Sequence, residues 1–324
     1  MVENYGLPYT GSKSRIAHWV IDNLPRGRVL IDAFAGGCAI THRALLSQKW
    51  QTVIANDING KYPQLFADAV RGKYRDERRW ISREDFERLK SKDAFVACCW
   101  SFGNNLHNYM YSKVIEPYKR ALHYAIVFDD FEPMQELMPE VAQAVADVLH
   151  VQNNLHDRRI TAQNIIVKTL KRLTGDNYAH SIIQSNPLYQ SIRHSNKDAQ
   201  SLQSLQSLHS LESLERLQSL QSLQSLEITS QSYDEIDIPA DAVVYCDPPY
   251  HASDKRLYEG TAAAFDHCAF YDWCVRVSKT NPIFISEYSI EDDRFEIVAE
   301  KSKMTSMSQF KSSIVTERLY TVKK

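Results

Sequence analysis

Short apolar runs, each closed by an acid, a small-residue turn or a proline, set the reading of this chain. Arg28-Val29-Leu30-Ile31 ends at Asp32, Thr52-Val53-Ile54-Ala55 ends at Asn56-Asp57, and Val243-Val244-Tyr245-Cys246 ends at Asp247. Runs of this length and composition predict buried strands, as does Ile283-Phe284-Ile285. Helical patterns fall between them, at Ala39 to Leu46 and Cys268 to Val277. Phe295 to Ala299 and Ile314 to Val322 predict late antiparallel strands. Strand, turn, helix and strand in alternation define an α/β protein.

The spacing is irregular in one place. A βα unit takes about 30 residues, yet Asp247 lies 190 positions beyond Asp57. A large insertion therefore separates two parts of the sheet. Residues 61–200 read mostly helical and are rich in aromatic and basic side chains, among them Trp100, Phe102, Tyr109, Tyr111 and Tyr118. Such aromatics serve equally as core or as base-stacking surface, and both roles stay open for each. Residues 201–227 are low complexity, with leucine at every third position from Leu202 to Leu226. A three-residue step on an α-helix is about 300°, so the stripe drifts by about 60° per repeat and settles on no single face. The segment is expected to be a connector, helical in part, with no catalytic duty.

Asp247-Pro248-Pro249-Tyr250 is the most informative motif. Two prolines must end the strand before them, which leaves a carboxylate, a proline carbonyl and an aromatic ring at its carboxyl end. In open α/β sheets ligands bind at that edge. Acceptors beside a flat ring suit a planar substrate with an exocyclic amine, such as adenine. The plainer alternative is a Pro-Pro turn capped by Asp247. Near the N-terminus, Asp32-Ala33-Phe34-Ala35-Gly36-Gly37 opens a nucleotide-binding unit, since the glycines let backbone approach a ligand at a helix N-terminus. Asp57, about 20 residues on, is placed to accept from ribose hydroxyls.

Composition narrows the classes. The chain has 324 residues, 44% hydrophobic and 24% charged, as globular proteins do. It contains no run of about 20 apolar residues, and its start has no signal-peptide pattern. The six cysteines show no zinc-type spacing, so reduced thiols in a cytoplasm and no structural metal are expected. Net charge is −2, but residues 61–92 carry ten Lys/Arg against six Asp/Glu, and residues 150–197 carry seven against two. Either stretch could meet phosphates or simply be a solvated surface.

Together these motifs resemble the alpha group of DNA adenine-N6 methyltransferases, the Dam-like family of phages and bacteria. The resemblance covers about residues 7–60 and 228–322, through Pro8-Tyr9-Thr10-Gly11-Ser12-Lys13, the Asp32–Gly37 loop, Asp57 and the Asp247–Tyr250 tetrapeptide. Ile285-Ser286-Glu287-Tyr288 and Glu317-Arg318-Leu319-Tyr320 are also similar. The resemblance implies a Rossmann-like, S-adenosylmethionine-dependent methyltransferase sheet (residues 1–60 and 228–324) with a mostly helical target-recognition domain inserted at 61–200. It implies cofactor contacts at Tyr9, Lys13, Asp32, Phe34, Gly36 and Asp57, with Lys13 on the cofactor carboxylate, and catalysis by Asp247, Pro248, Pro249 and Tyr250. The chain departs from the family at Ala33, where Pro is usual, and at Cys38, where a third Gly is common. Ser232-Tyr233 stands where many members place an Asp near the cofactor adenine, so both are candidate cofactor contacts. The motif of GATC-specific members is absent from the middle of the chain.

The implied partner is double-stranded DNA, met by a cytoplasmic, nucleoid-associated monomer with no membrane contact. A cognate restriction endonuclease is not inferable from the residues. The rival readings are an RNA adenine-N6 methyltransferase and a non-catalytic DNA-binding protein with a decayed fold.

Overall fold

A computed structural model of the protein describes residues 4–149, 154–174, 205–221, 225–250, 265–305 and 313–324. The chain divides into two compact units, one of residues 1–72 with 217–324 and the other of residues 73–216. Helices α1 (Ala17–Asn23), α2 (Ala39–Ser47) and α3 (Lys61–Val70) belong to the first unit. So do strands β1 (Val29–Asp32), β2 (Thr52–Asn56), β3 (Ser225–Thr229), β4 (Val243–Cys246), β5 (Ile283–Glu287), β6 (Phe295–Thr305) and β7 (Ser313–Val322). They form one seven-stranded sheet in the order β3-β2-β1-β4-β5-β7-β6. Strands β1 to β5 run parallel to one another, whereas β7 runs antiparallel between β5 and β6.

The unbroken apolar runs have a direct cause. Every residue of β1, β4 and β5 is buried, so neither face of these strands tolerates the polar alternation of a half-exposed sheet. Val29, Ile31, Val244, Cys246, Ile283 and Ile285 share a core with Phe270 and Trp273 of the helix His267–Val277. β3 is different. It sits at the sheet edge, with Leu226 and Ile228 partly buried and Ser225 and Glu227 exposed. Residues 225–227, expected in the connector, are its first residues, because pairing along β2 from Thr52↔Ser225 to Asn56↔Thr229 outweighs the triplet pattern.

Topology then delivers the ends of β1, β2, β4 and β5 to one edge. β2 and β4 lie on opposite sides of β1, so chain connections diverge there and leave a crevice. β7 enters the same edge from the other direction, since Glu287 at the end of β5 pairs with Arg318.

The second unit is helical, comprising Arg83–Leu89, Ala94–Trp100, Glu116–Phe128, Glu132–Leu137, Pro139–Leu149, Leu155–Thr174 and Gln206–Leu217. Its aromatics separate cleanly. Trp100, Tyr109, Tyr111 and Tyr118 are buried. The Tyr109 hydroxyl donates to the Ile81 carbonyl at 2.8 Å, and the Tyr111 hydroxyl to Ser207 Oγ at 2.8 Å. Phe102, in contrast, is 64% exposed. The leucine stripe does wander around Gln206–Leu217, and the helix accommodates it by being enclosed. Leu205, Leu208, Leu211 and Leu214 are all buried, together with Ser207, Ser210 and Glu212. Arg159 and His156 satisfy the buried Glu212 carboxylate. Much of the basic stretch 61–92 is paired with local acids, as in Arg83–Glu116 and Arg88–Asp85. Residues 175–197 of the second basic stretch lie outside the described residues. Among the described residues, no helix is long and apolar enough to cross a membrane.

Candidate active site at the carboxyl edge of the sheet

At the end of β4 the prolines turn the chain, with Pro248 buried and Asp247, Pro249 and Tyr250 partly so. Lys13 Nζ lies 2.7 Å from Asp247 Oδ1 and 4.3 Å from the centre of the Tyr250 ring. An ammonium over a ring and against a carboxylate occupies the position of an N–H donor presented to both. The Tyr250 hydroxyl donates to Glu317 Oε1, and the Tyr288 ring meets Tyr250 edge-on at 4.7 Å. Glu317 is fully buried and 3.9 Å from Lys13 Nζ. Burial raises the Asp247 carboxyl above its ordinary range, and the adjacent Lys13 opposes that shift. Burial, with Asp247 and Glu317 nearby, holds the Tyr250 phenol protonated and therefore a donor.

The second cluster gathers around the glycine turn between β1 and α2. Gly36 has φ +45° and donates its backbone N–H to Asp57 Oδ2 at 2.9 Å. Asn59 N–H donates to Asp57 Oδ1 at 2.8 Å. Burial raises Asp57, while these two N–H groups draw it back. A Cβ at Gly37 would lie 2.6 Å from Tyr9 Cβ, so the Tyr9 segment packs directly on the turn. Leu7 N–H donates to the Gly37 carbonyl at 2.7 Å, which seats the same segment from its other side. Cys38, where the resemblance leads to a third Gly, has φ 59°, the left-handed conformation that glycine adopts without strain.

Asp32 is buried beneath the turn. Its Oδ2 accepts from Thr41 Oγ1 at 2.7 Å and Thr41 N–H at 3.1 Å. Its Oδ1 has no hydrogen-bond partner among the described residues. Burial is the main reason its carboxyl is pushed up to about 7, and the charge of Asp247 adds to it. Phe34 stacks on Tyr233 at 5.7 Å, forming an aromatic wall with Phe265 and Phe270.

The structure thus brings Lys13, Asp247 and Tyr250 into one group and Gly36 with Asp57 into another. Lys13, expected at a cofactor carboxylate, lies against Asp247. Three contributors escaped the sequence reading. Asp234, one place beyond Ser232-Tyr233, accepts a hydrogen bond from Ser232 Oγ, so the chain does carry an acid there. Asn56 clasps the ends of β1 and β3, donating to the carbonyls of Ala33 and Gln231 at 3.0 Å and accepting from Thr229 Oγ1 at 2.8 Å. Its place at a strand terminus was the available signal. For Glu317 the signal was the likeness of Glu317-Arg318-Leu319-Tyr320 to the family, although only the reversal of β7 carries it to this edge.

A sheet edge with a glycine turn, a strand-end acid and an acceptor-plus-aromatic group defines a site for a nucleotide-like ligand beside an amine. The family model of D12 class N6 adenine-specific DNA methyltransferases matches residues 9–136 and 169–322. The chain belongs to that family and is an enzyme that methylates adenine N6 in DNA. No curated protein matches the chain.

Proposed function

We propose that the protein transfers a methyl group from S-adenosylmethionine to N6 of an adenine flipped out of double-stranded DNA. The observation that carries this reading is the Lys13 ammonium, held at 2.7 Å by Asp247 and over the Tyr250 ring, where an adenine amino group would be held in its turn. On this reading the sheet is a Rossmann-like cofactor-binding sheet. Its order agrees with the 3-2-1-4-5 run of doubly wound folds, with one antiparallel strand inserted before the last. The unit of residues 73–216 is the inserted target-recognition domain, with Phe102 and Phe128 among its exposed aromatics.

The residues of the glycine turn fit the cofactor. Asp57 would accept from the ribose hydroxyls, and the Gly36 turn with Tyr9 would line the chain of the bound molecule. Asp32 Oδ1, buried with no partner among the described residues, suits an ammonium donor. Phe34 and Tyr233 offer a wall for the adenine ring, and Ser232 with Asp234 an acceptor for its amine. S-adenosylmethionine supplies an electrophilic methyl on a sulfonium.

Adenine N6 is a weak nucleophile because its lone pair is delocalised into the ring. Asp247 and the Pro248 carbonyl would accept the amino hydrogens, turning the lone pair out of the ring plane and stabilising the positive charge that grows on nitrogen. Tyr250 would stack on the base once it has left the duplex. Pro249 fixes the distance between the two. Lys13 must withdraw from Asp247 as the amine enters, and Asp247 must be ionised, a state that the adjacent Lys13 favours.

Asp247→Ala tests the assignment. Methyl transfer to DNA is expected to fall by roughly 1,000-fold or more, with S-adenosylmethionine affinity by calorimetry unchanged. Transfer at the wild-type rate would exclude Asp247 from the chemistry.

A further inference from the structure

A carboxylate buried without exposure is costly unless charge and hydrogen bonds compensate it. Glu317 is such a group, and Tyr250 of the catalytic tetrapeptide and Lys13 help to compensate it. Its Oε1 accepts from the Tyr250 hydroxyl, and Lys13 Nζ lies 3.9 Å away to balance its charge. β7 is braced where it delivers this residue. The neighbouring Arg318 donates to the Tyr288 carbonyl and, at 2.6 Å, to Glu300 Oε1 on β6. Tyr288 in turn presses edge-on against the Tyr250 ring.

Tyr250 stands past two prolines at the end of a strand, where its ring could otherwise rotate. Its orientation is fixed by Glu317 at the hydroxyl and Tyr288 at the ring. We propose that Glu317 is a positioning residue for methyl transfer, acting through the Tyr250 hydroxyl to hold the ring at the angle on which the flipped adenine stacks. The proposal rests on the reading of Tyr250 as that stacking surface. Misalignment of the base against Asp247 would lower the rate of transfer and leave cofactor affinity intact.

The test uses five proteins: wild type, E317A, Y250F, the double variant, and E317Q as the conservative control. Each is assayed with labelled S-adenosylmethionine and unmethylated genomic DNA. E317A and Y250F are each expected to lower kcat by about 10- to 100-fold, the range of a hydrogen bond to a charged group. KM for DNA and the Kd for S-adenosylmethionine should stay near wild type. The double variant should be no slower than the slower single one, and E317Q, which can still accept from the hydroxyl, should recover most of the loss. Wild-type kcat in Y250F or E317A would overturn the proposal, as would losses that multiply in the double variant. Should E317A not fold, Y250F and the nearly isosteric E317Q decide, and E317Q as slow as Y250F counts against a hydrogen-bond role. Absence of transfer by the wild type would instead overturn the proposed function. In that case coupling between the two positions, read from unfolding midpoints, would still show whether the hydroxyl–carboxylate bond exists.

Discussion

Asp32 shows how far burial can move a carboxyl at the edge of the sheet. It is 1% exposed and its carboxyl is raised from 3.8 to about 7, mainly by burial. A carboxyl whose folded pKa is raised favours the native state only while protonated. That contribution is full below the unfolded value and is lost as pH rises through the folded one. Asp32→Asn cannot titrate. Its stability relative to wild type should therefore improve as pH rises from 3.8 to about 7, by up to roughly 4 kcal/mol, and then level off. Denaturant unfolding at a series of pH values checks this, and a pH-independent difference would contradict it. At this scale the sequence was informative about Asp247, Tyr250, Asp57 and Gly36, because each stands at a strand end or turn that local pattern reveals. It named Glu317 only within a family-like stretch, with no role, and did not foresee the contact of Lys13 with Asp247. Their meeting with Asp247 and Tyr250 joins the two ends of the chain, and only the assembled sheet makes it.

Elements divide by whether their period matches their environment. β1, β2, β4 and β5 were legible because strands buried on both faces must be apolar throughout. The late strands were legible as well, although β6 extends to Thr305, beyond the expected Ala299. The helix Gln206–Leu217 was expected only as a partly helical connector, and strand β3 was not expected. A three-residue leucine period fits neither a helix face nor a strand face, so tertiary enclosure decides the outcome in one place and edge pairing in the other. Enclosure has a measurable consequence. Leu211 is 1% exposed, and Leu211→Ala should cost about 2–5 kcal/mol of stability, the range for a buried leucine that leaves a cavity. A loss below about 1 kcal/mol in denaturant unfolding would mean that the repeat packs only loosely.

For the whole molecule, the long interval between Asp57 and Asp247 was the strongest global signal, and the chain does divide into two compact units, one of them discontinuous in sequence. The discontinuity explains why composition alone said little. A protein of net charge −2 gives no overall sign of binding DNA, and the arginines of its first basic stretch are largely engaged by its own acids. Membership of the D12 class supplies the reaction, and the sheet edge holds the residues to which the proposal assigns it. The most direct test is incubation of the full chain with labelled S-adenosylmethionine and unmethylated genomic DNA, followed by nucleoside analysis and mapping of the modified positions. The expected result is N6-methyladenine at a fixed short sequence, dependent on Asp247. Cofactor binding with no methyl transfer to DNA, or a methyl group on any atom other than adenine N6, would contradict the account.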